Sequence, residues 1–220
     1  LHIGRGMHNL VYTGDIKSGF TKLFDPTEIM FPRLETLIIE STYGGPKDVQ
    51  PPRYIAEKEL FQIIKETVDK GGNVVIPVFA IGRAQEIMIV LEEFARMNNL
   101  QTPVYIDGMC LEASAIHTAY PEYMRGAIQR RILHDDSPFD SEIFINCDKT
   151  QRHEAIEHPS IILAPAGMMN GGPVLEYFKL MADNPKNTLI FVGYQGQNTL
   201  GRKIQRGIKK VILSDEEGRS

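Results

Sequence analysis

Two carboxylates stand at the ends of two short apolar runs. Asp15 follows the run at 10–14 (LVYTG), and Glu40 follows the run at 36–39 (TLII). Each run is rich in β-branched or aromatic residues and is followed by turn-forming residues, which predicts two buried strands that deliver an acid to the edge of a sheet. A carboxylate presented after Gly14 can bridge two zinc ions, although aspartate after glycine is also common as a turn cap.

Glu40 ends a run of apolar residues, so we expect its carboxylate to be partly buried and to have a partner. Such an acid can orient a neighbouring catalytic group or metal ligand without touching the metal itself. The alternative is an ordinary strand-end glutamate that caps the backbone groups of Ser41 or Thr42. The sequence by itself leaves both open.

Beyond residue 50, strand patterns and helix patterns alternate. A helical period between the prolines at 51–52 and the glycines at 71–72 is followed by predicted strands at 74–79, 103–106, 143–145, 161–164 and 188–192, and by predicted helices at 83–97, 111–119, 173–181 and after Thr199. This alternation predicts an α/β fold with an open, doubly wound, mostly parallel sheet. The loops at the carboxyl ends of its strands would then share one rim.

Three of these loops contain candidate ligand-binding residues. Arg83 opens a helix where free backbone amides could hold a phosphate and the guanidinium could pair with it, or it could be a structural arginine. Gly167 and Met169 belong to a glycine-bounded loop whose amides could take a phosphate while methionines pack on a base or fill the core. Tyr194 could stack on an unpaired base or pack internally.

Near the end of the chain, cations are concentrated between residues 202 and 210. Five fall within nine residues, and on a helix Arg202, Arg206 and Lys209 or Lys210 would share one face. Such a stripe could contact phosphates, or it could be a solvated helix face balanced by the acids that follow. The net charge of −4 gives no general basic footprint for nucleic acid.

Composition predicts a globular chain from a reducing compartment. Its 220 residues are 42% hydrophobic, which suffices for a buried core. Cys110 and Cys147 lie far apart, which argues against a disulfide framework or a cysteine zinc site and favours the cytoplasm. No apolar run approaches the roughly 20 residues that span a bilayer, so we expect no membrane association.

Five ordered motifs resemble those of the β-CASP family of metallo-β-lactamase nucleases. They are 12–15 (YTGD), 38–44 (IIESTYG), 77–86 (PVFAIGRAQE), 164–169 (APAGMM) and 193–195 (GYQ). Within the family the chain is most similar to the archaeal cleavage and polyadenylation specificity factor group. The resemblance implies a β-CASP domain at 46–207, inserted between metallo-β-lactamase strands at 1–45 and a return to that domain at 208–220.

The resemblance also implies a function and roles for individual residues. The parent would be a zinc-dependent ribonuclease of RNA 3'-end processing or transcription termination, with two zinc ions, RNA as substrate and, as an open question, a homodimer. Asp15 would bridge the metals, Glu40 would support a histidine that protonates the leaving oxygen, and the rim loops with Arg83, Gly167, Met169, Tyr194, Arg202 and Arg206 would face RNA.

The sequence departs from the family in one respect. The family's His-x-His-x-Asp-His cluster does not occur, and we therefore interpret the chain as a fragment that neither retains zinc nor cleaves RNA by itself. A non-catalytic RNA-binding or assembly module of the same fold is the alternative. A mononucleotide-binding domain is disfavoured because neither Gly-x-Gly-x-x-Gly nor Gly-x-x-x-x-Gly-Lys is found.

Overall fold

The protein contains two β-sheets and helices that cover both faces of the larger one. The computed structural model describes residues 2–5, 8–98, 100–211 and 213. Within these residues the smaller sheet has three strands in the order β1-β2-β3, and the larger has five in the order β6-β5-β7-β4-β8. The strands are β1 His2–Arg5, β2 His8–Tyr12, β3 Thr36–Ile38, β4 Val74–Pro77, β5 Val104–Asp107, β6 Phe144–Cys147, β7 Ile161–Ala164 and β8 Thr188–Leu189.

Every neighbouring pair of strands in the larger sheet is parallel. Helices of the described residues precede, connect and follow these strands. They are α1 Arg53–Asp69, α2 Arg83–Asn98, α3 Cys110–Ala119, α4 Gly126–Leu133, α5 Pro173–Met181 and α6 Leu200–Gln205. Because parallel strands need crossover connections, this order confirms the predicted doubly wound α/β sheet.

Two apolar layers cover the two faces of the larger sheet. Successive strand residues point to opposite faces, so Val74 and Ile76 pack with α1, α2 and α3, whereas Val75 packs with α5. The first layer contains Ile64, Ala84, Met88, Leu91, Ile106 and Leu163, and the second contains Ile162, Ala164, Val174, Tyr177 and Met181. A sheet buried on both faces explains why its strands are continuous apolar runs.

The smaller sheet is much less covered. Strand β1 pairs antiparallel with β2, and β3 pairs parallel with β2. Val11 is buried, but Leu37 and Ile38 are each 47% exposed. Neighbouring strand residues face opposite sides, so both faces of β3 are partly open within the described residues. The prediction of a buried strand is therefore wrong for β3 in this chain.

The segment between β2 and β3 is docked on helix α2. The buried Glu86 carboxylate accepts the backbone N–H groups of Lys22 and Leu23, each at 2.8 Å, and also pairs with Arg53. Leu23 is almost fully buried against Ile89. These contacts attach the connection of the smaller sheet to the helical layer of the larger one.

Two predicted segments end differently from expectation. Strand β8 stops at Leu189 rather than at residue 192, and its last bond to β4 is donated by the Ile190 N–H to the Val75 carbonyl at 2.9 Å. The predicted return segment at 208–220 lies largely outside the described residues, which beyond 207 include only 208–211 and 213. The proposed domain boundaries stay a prediction.

Candidate functional site

The loops that carry Asp15 and Glu40 lie side by side. Tyr12 pairs with Ile38 at the ends of parallel strands β2 and β3, and the Thr13 N–H donates to the Ile38 carbonyl at 3.0 Å. The parallel pairing brings both carboxylates to the same edge of the smaller sheet, because parallel strands end on the same side. The position of each acid after a strand is the one that the two apolar runs predict.

Asp15 is solvent-exposed at the tip of this edge. Gly14 has φ +58°, a conformation that glycine adopts without strain, and it turns the chain sharply before Asp15. None of the hydrogen bonds or ion pairs among the described residues involves the Asp15 carboxylate. The side chain is thus available to an external ligand rather than being used to cap the turn.

Glu40 is half-buried and has partners in both loops. Its Oε2 accepts the Thr42 N–H at 2.7 Å, and this bond lowers the pKa of the Glu40 carboxyl, with a smaller lowering from the Ile16 N–H. The carboxylate therefore stays ionised and joins its own loop to the residue after Asp15. The geometry is that of the strand-end cap considered above, and it also fixes the carboxylate close to Asp15.

The described residues cannot form a complete zinc site. They contain no group of three or more histidine, cysteine, aspartate or glutamate side chains placed to hold a metal ion. Structural and catalytic zinc ions take three or four protein ligands. Asp15 therefore fits the role of one ligand in a larger set, and this part of the chain does not supply the others.

Three of the amides at the start of α2 are already bonded, so the loop presents fewer free amides than we predicted. The Gly82 N–H donates to Gln85 Oε1 at 2.7 Å, the Arg83 N–H to the Ile81 carbonyl at 3.0 Å, and the Ala84 N–H to the Phe79 carbonyl at 3.1 Å. The buried Gln85 side chain takes the first of these amides, and backbone carbonyls of the turn take the other two. The exposed Arg83 side chain stays a candidate phosphate contact.

The glycine-bounded loop after β7 also differs from expectation at two positions. Met169 is 1% exposed and belongs to the apolar layer around Tyr177, so it cannot pack on a bound base. Gly167 is buried, and a Cβ there would come within 2.9 Å of the Phe79 nitrogen. Its role is close packing against the end of β4, whereas the half-buried Met168 is the methionine near the surface.

Tyr194 lies on the rim rather than in the core. Its ring is 43% exposed and meets the ring of Tyr43 edge to face, with centroids 6.0 Å apart. Tyr43 follows Glu40 by three residues, so this contact brings the rim of the larger sheet next to the loop that carries Glu40. The core-packing alternative for Tyr194 is therefore wrong.

The basic stripe is shorter than predicted. Thr199 caps α6 by accepting the Arg202 N–H, and Arg202 and Arg206 lie one turn apart near its end. Gly207, with φ +84°, terminates the helix, and the Ile208 N–H bonds back to the Lys203 carbonyl at 3.2 Å. Lys209 and Lys210 therefore lie beyond the helix and do not extend the stripe.

Sequence reasoning missed a buried link between the two rim loops. Gln195 is 3% exposed, its Nε2 donates to the Gly167 carbonyl at 2.9 Å, and the Gly201 N–H donates to the Met168 carbonyl at 3.2 Å. The burial of Gln195 could not be predicted, because the residue is polar and lies outside any regular pattern of apolar residues. The loop after β7 is thus fastened to the start of α6.

Comparison with known proteins places this arrangement in a family. Residues 84–204 match the Beta-Casp domain. The chain is 51% identical over 224 residues to the transcription termination factor FttA of Thermococcus kodakarensis, and 52% identical over 223 residues to that of Methanococcus maripaludis, covering all of this chain in both comparisons. It is 47% identical over 223 residues to FttA of Cenarchaeum symbiosum, covering 99% of this chain.

The chain spans about a third of the length of these relatives, at 35% of each. No helix among the described residues is long and apolar enough to cross a membrane. The matched region begins in α2 and ends in α6, and so includes most of the larger sheet and the rim loops after β5, β7 and β8. Because the Beta-Casp domain matches more than half of the chain, the chain belongs to the Beta-Casp domain family.

Proposed function

We propose that the chain forms the RNA-facing portion and one carboxylate edge of a zinc-dependent ribonuclease. The enzyme would hydrolyse phosphodiesters during RNA 3'-end processing or transcription termination. The observation that supports this most directly is the approach of Tyr43 to Tyr194, because it sets the edge with Asp15 and Glu40 beside the rim of the larger sheet. The name of the archaeal relatives, transcription termination factor, agrees with this process.

In this proposal the two carboxylates have different roles. Asp15, exposed and without a described partner, supplies a metal-ligand oxygen. Glu40, held by the Thr42 and Ile16 N–H groups, stays ionised and orients a proton-donating group next to the metal ligand. When bound, zinc ions supply an activated water for attack on phosphorus and neutralise developing charge.

Substrate contact is assigned to cations of the rim, of which Arg83 and Arg206 are exposed and Arg202 is half-buried. Arg83 opens α2, Arg202 lies on α6 and Arg206 caps the end of that helix, which directly follows the loop of Tyr194. Guanidinium groups pair with phosphate oxygens in two parallel hydrogen bonds. These contacts would position an RNA backbone without reading its bases.

The experiment that tests the proposal uses a full-length protein containing this sequence. Asp15→Asn should abolish cleavage of a labelled RNA and lower the bound zinc measured by elemental analysis. Glu40→Gln should slow cleavage at least tenfold while zinc content is kept. Asp69→Asn, on the exposed face of α1, is the control with the same loss of one charge.

Near-normal cleavage by Asp15→Asn would refute the assignment of the metal ligand. A full-length protein that binds RNA but neither holds zinc nor cleaves would favour the non-catalytic module. Cleavage and binding are thus measured separately, and each distinguishes a different part of the proposal.

A further inference from the structure

The rim loops carry aromatic and sulphur side chains, the last of which contacts the loop of the carboxylate edge. We define the aromatic strip as Phe79, Met168, Tyr194 and Tyr43. Phe79 is 45%, Tyr194 43% and Tyr43 50% exposed, and Met168 is half-buried. Exposed fractions of this size leave part of each side chain open to a ligand.

Neighbouring loops carry the four side chains. Phe79 borders Gly167, since a Cβ at Gly167 would lie 3.2 Å from Phe79 Cδ2. Met168 and Tyr194 border Gly196, where a Cβ would lie 3.4 Å from the Met168 sulphur and 3.9 Å from Tyr194 Cε1. Tyr194 contacts Tyr43 edge to face. Glycine at positions 167 and 196 thus lets the loops approach closely.

We propose that Phe79 is a base-stacking residue on an RNA path that runs along the aromatic strip toward Glu40 and Asp15. The inference rests on the proposed function and adds where the unpaired bases are held. Base stacking needs a free aromatic face and tolerates any sequence, since every base has a π-face. Arg83 comes from the same turn as Phe79, so a phosphate contact and a base contact are offered together.

The rigidity of this turn supports a binding role for the exposed ring. The Ala84 N–H donates to the Phe79 carbonyl at 3.1 Å, and the buried Gln85 amide donates to the Ala80 and Cys110 carbonyls at 3.1 and 3.2 Å. The Phe79 backbone is therefore fixed before a ligand arrives, which reduces the entropy lost on binding.

The test measures RNA affinity of the 220-residue chain with two probes of equal length. One is a single-stranded oligoadenosine, and the other is its abasic counterpart, which has the same phosphates but no bases. Phe79→Ala should raise the Kd for oligoadenosine roughly 5- to 150-fold, the range of one base–aromatic stack. It should leave the Kd for the abasic strand unchanged.

Three further variants make the outcome specific. Phe79→Tyr keeps an aromatic face and should bind like the wild type, whereas Phe79→Leu keeps apolar volume but loses stacking and should bind like the alanine variant. Tyr54→Ala removes an aromatic that is 71% exposed on α1 and is not part of the aromatic strip, and it should have no effect. Thermal unfolding of each variant checks that the fold is intact.

The possible outcomes separate this inference from the proposed function. Wild-type binding of oligoadenosine with an unchanged Kd in Phe79→Ala would overturn the stacking role and leave RNA contact standing. An equal loss for both probes would also overturn it, because a stack cannot act on an abasic strand. A wild-type chain that binds neither probe would overturn both the stack and RNA contact by this chain.

Discussion

The Tyr177 hydroxyl donates a 2.9 Å hydrogen bond to Oδ2 of Asp107, and both side chains are buried. Arg152 donates to the same carboxylate through Nε at 2.7 Å and Nη2 at 3.1 Å, and its hydrogen bonds to Asp107 raise the pKa of the guanidinium. Cys147 Sγ lies 3.1 Å from the Tyr177 hydroxyl. The ends of β5 and β6 are therefore bound to α5, the helix that follows the Gly167 loop.

We expect substitutions of Asp107 and of Tyr177 to lower the free energy of unfolding by unequal amounts. Asp107→Asn should lower the free energy of unfolding by about 3–5 kcal/mol, because Arg152 stays buried without its main counter-ion. Tyr177→Phe removes one neutral donor to this carboxylate and should cost less, about 1.5–3 kcal/mol. Urea unfolding of both variants measures the difference, and similar costs would argue that Glu176, the second partner of Arg152, balances its charge alone.

The strands of the larger sheet could be predicted because each can be recognised from a short stretch of sequence. Runs such as 74–77 and 161–164 are apolar at every position, which is typical of a strand buried on both faces, and the observed strands fall within or beside the predicted runs. The positions of Asp15 and Glu40 after two strands were equally predictable, but the parallel pairing that brings both acids to one edge was not. Helix α4 was not predicted, because its eight residues contain only one buried position, Ile128.

The predictions for site residues failed where burial or hydrogen bonding depends on contacts between residues that are distant in the sequence. Met168 and Met169 are identical in type, and only the fold buries one and leaves the other near the surface. The Gly82 amide before α2 is occupied because Gln85 turns inward, which periodicity cannot reveal. The end of α6 at Gly207, by contrast, was available as a glycine stop signal within the basic stretch and was not used.

A second prediction concerns Gly201 in α6. Alanine usually stabilises a helix by about 1 kcal/mol relative to glycine. At this position the added Cβ would lie 1.8 Å from Gln195 Oε1 and 3.0 Å from Phe191 Cε1. Gln195 cannot move without losing its hydrogen bond to Gly167, so Gly201→Ala should instead destabilise the chain by about 1–3 kcal/mol.

Gly171→Ala is the matched control, since a Cβ at Gly171 meets nothing within 4 Å. Its effect should stay within about 0.5 kcal/mol. Thermal unfolding of the two variants provides the comparison. Stabilisation by Gly201→Ala would mean that Gln195 does not fasten the rim loops as described.

The third prediction concerns alkaline pH. Burial raises the pKa of the Cys110 thiol to about 12, with a further contribution from the Asp107 carboxylate. In the unfolded chain the thiol titrates near pH 8.5. Its contribution to stability is therefore complete below about pH 8.5 and is lost as pH rises toward 12, at about 1.4 kcal/mol per pH unit.

Cys110→Ala should remove this part of the pH dependence. Urea unfolding at pH 8 and pH 10 should show a shallower decline in the variant than in the wild type, whatever the absolute cost of the smaller side chain. An identical decline in both proteins would contradict the assignment. Cys147, whose pKa burial also raises, remains in both proteins and cancels in the comparison.

The final prediction concerns the salt dependence of RNA binding, which counts phosphate contacts. Each neutralised phosphate on a single strand contributes a slope of about −0.7 to log affinity against log salt. If Arg202 and Arg206 each pair with a phosphate, Arg202→Ala with Arg206→Ala should flatten the slope by one to two units for unrelated RNA sequences.

Lys58→Ala with Lys65→Ala removes the same charge from exposed positions on α1 and serves as the control. Binding isotherms at several salt concentrations measure both slopes. An equal flattening in the two double variants would indicate a general effect of net charge, and an unchanged slope in the arginine variant would leave Arg83 as the remaining cation of the proposed RNA contacts.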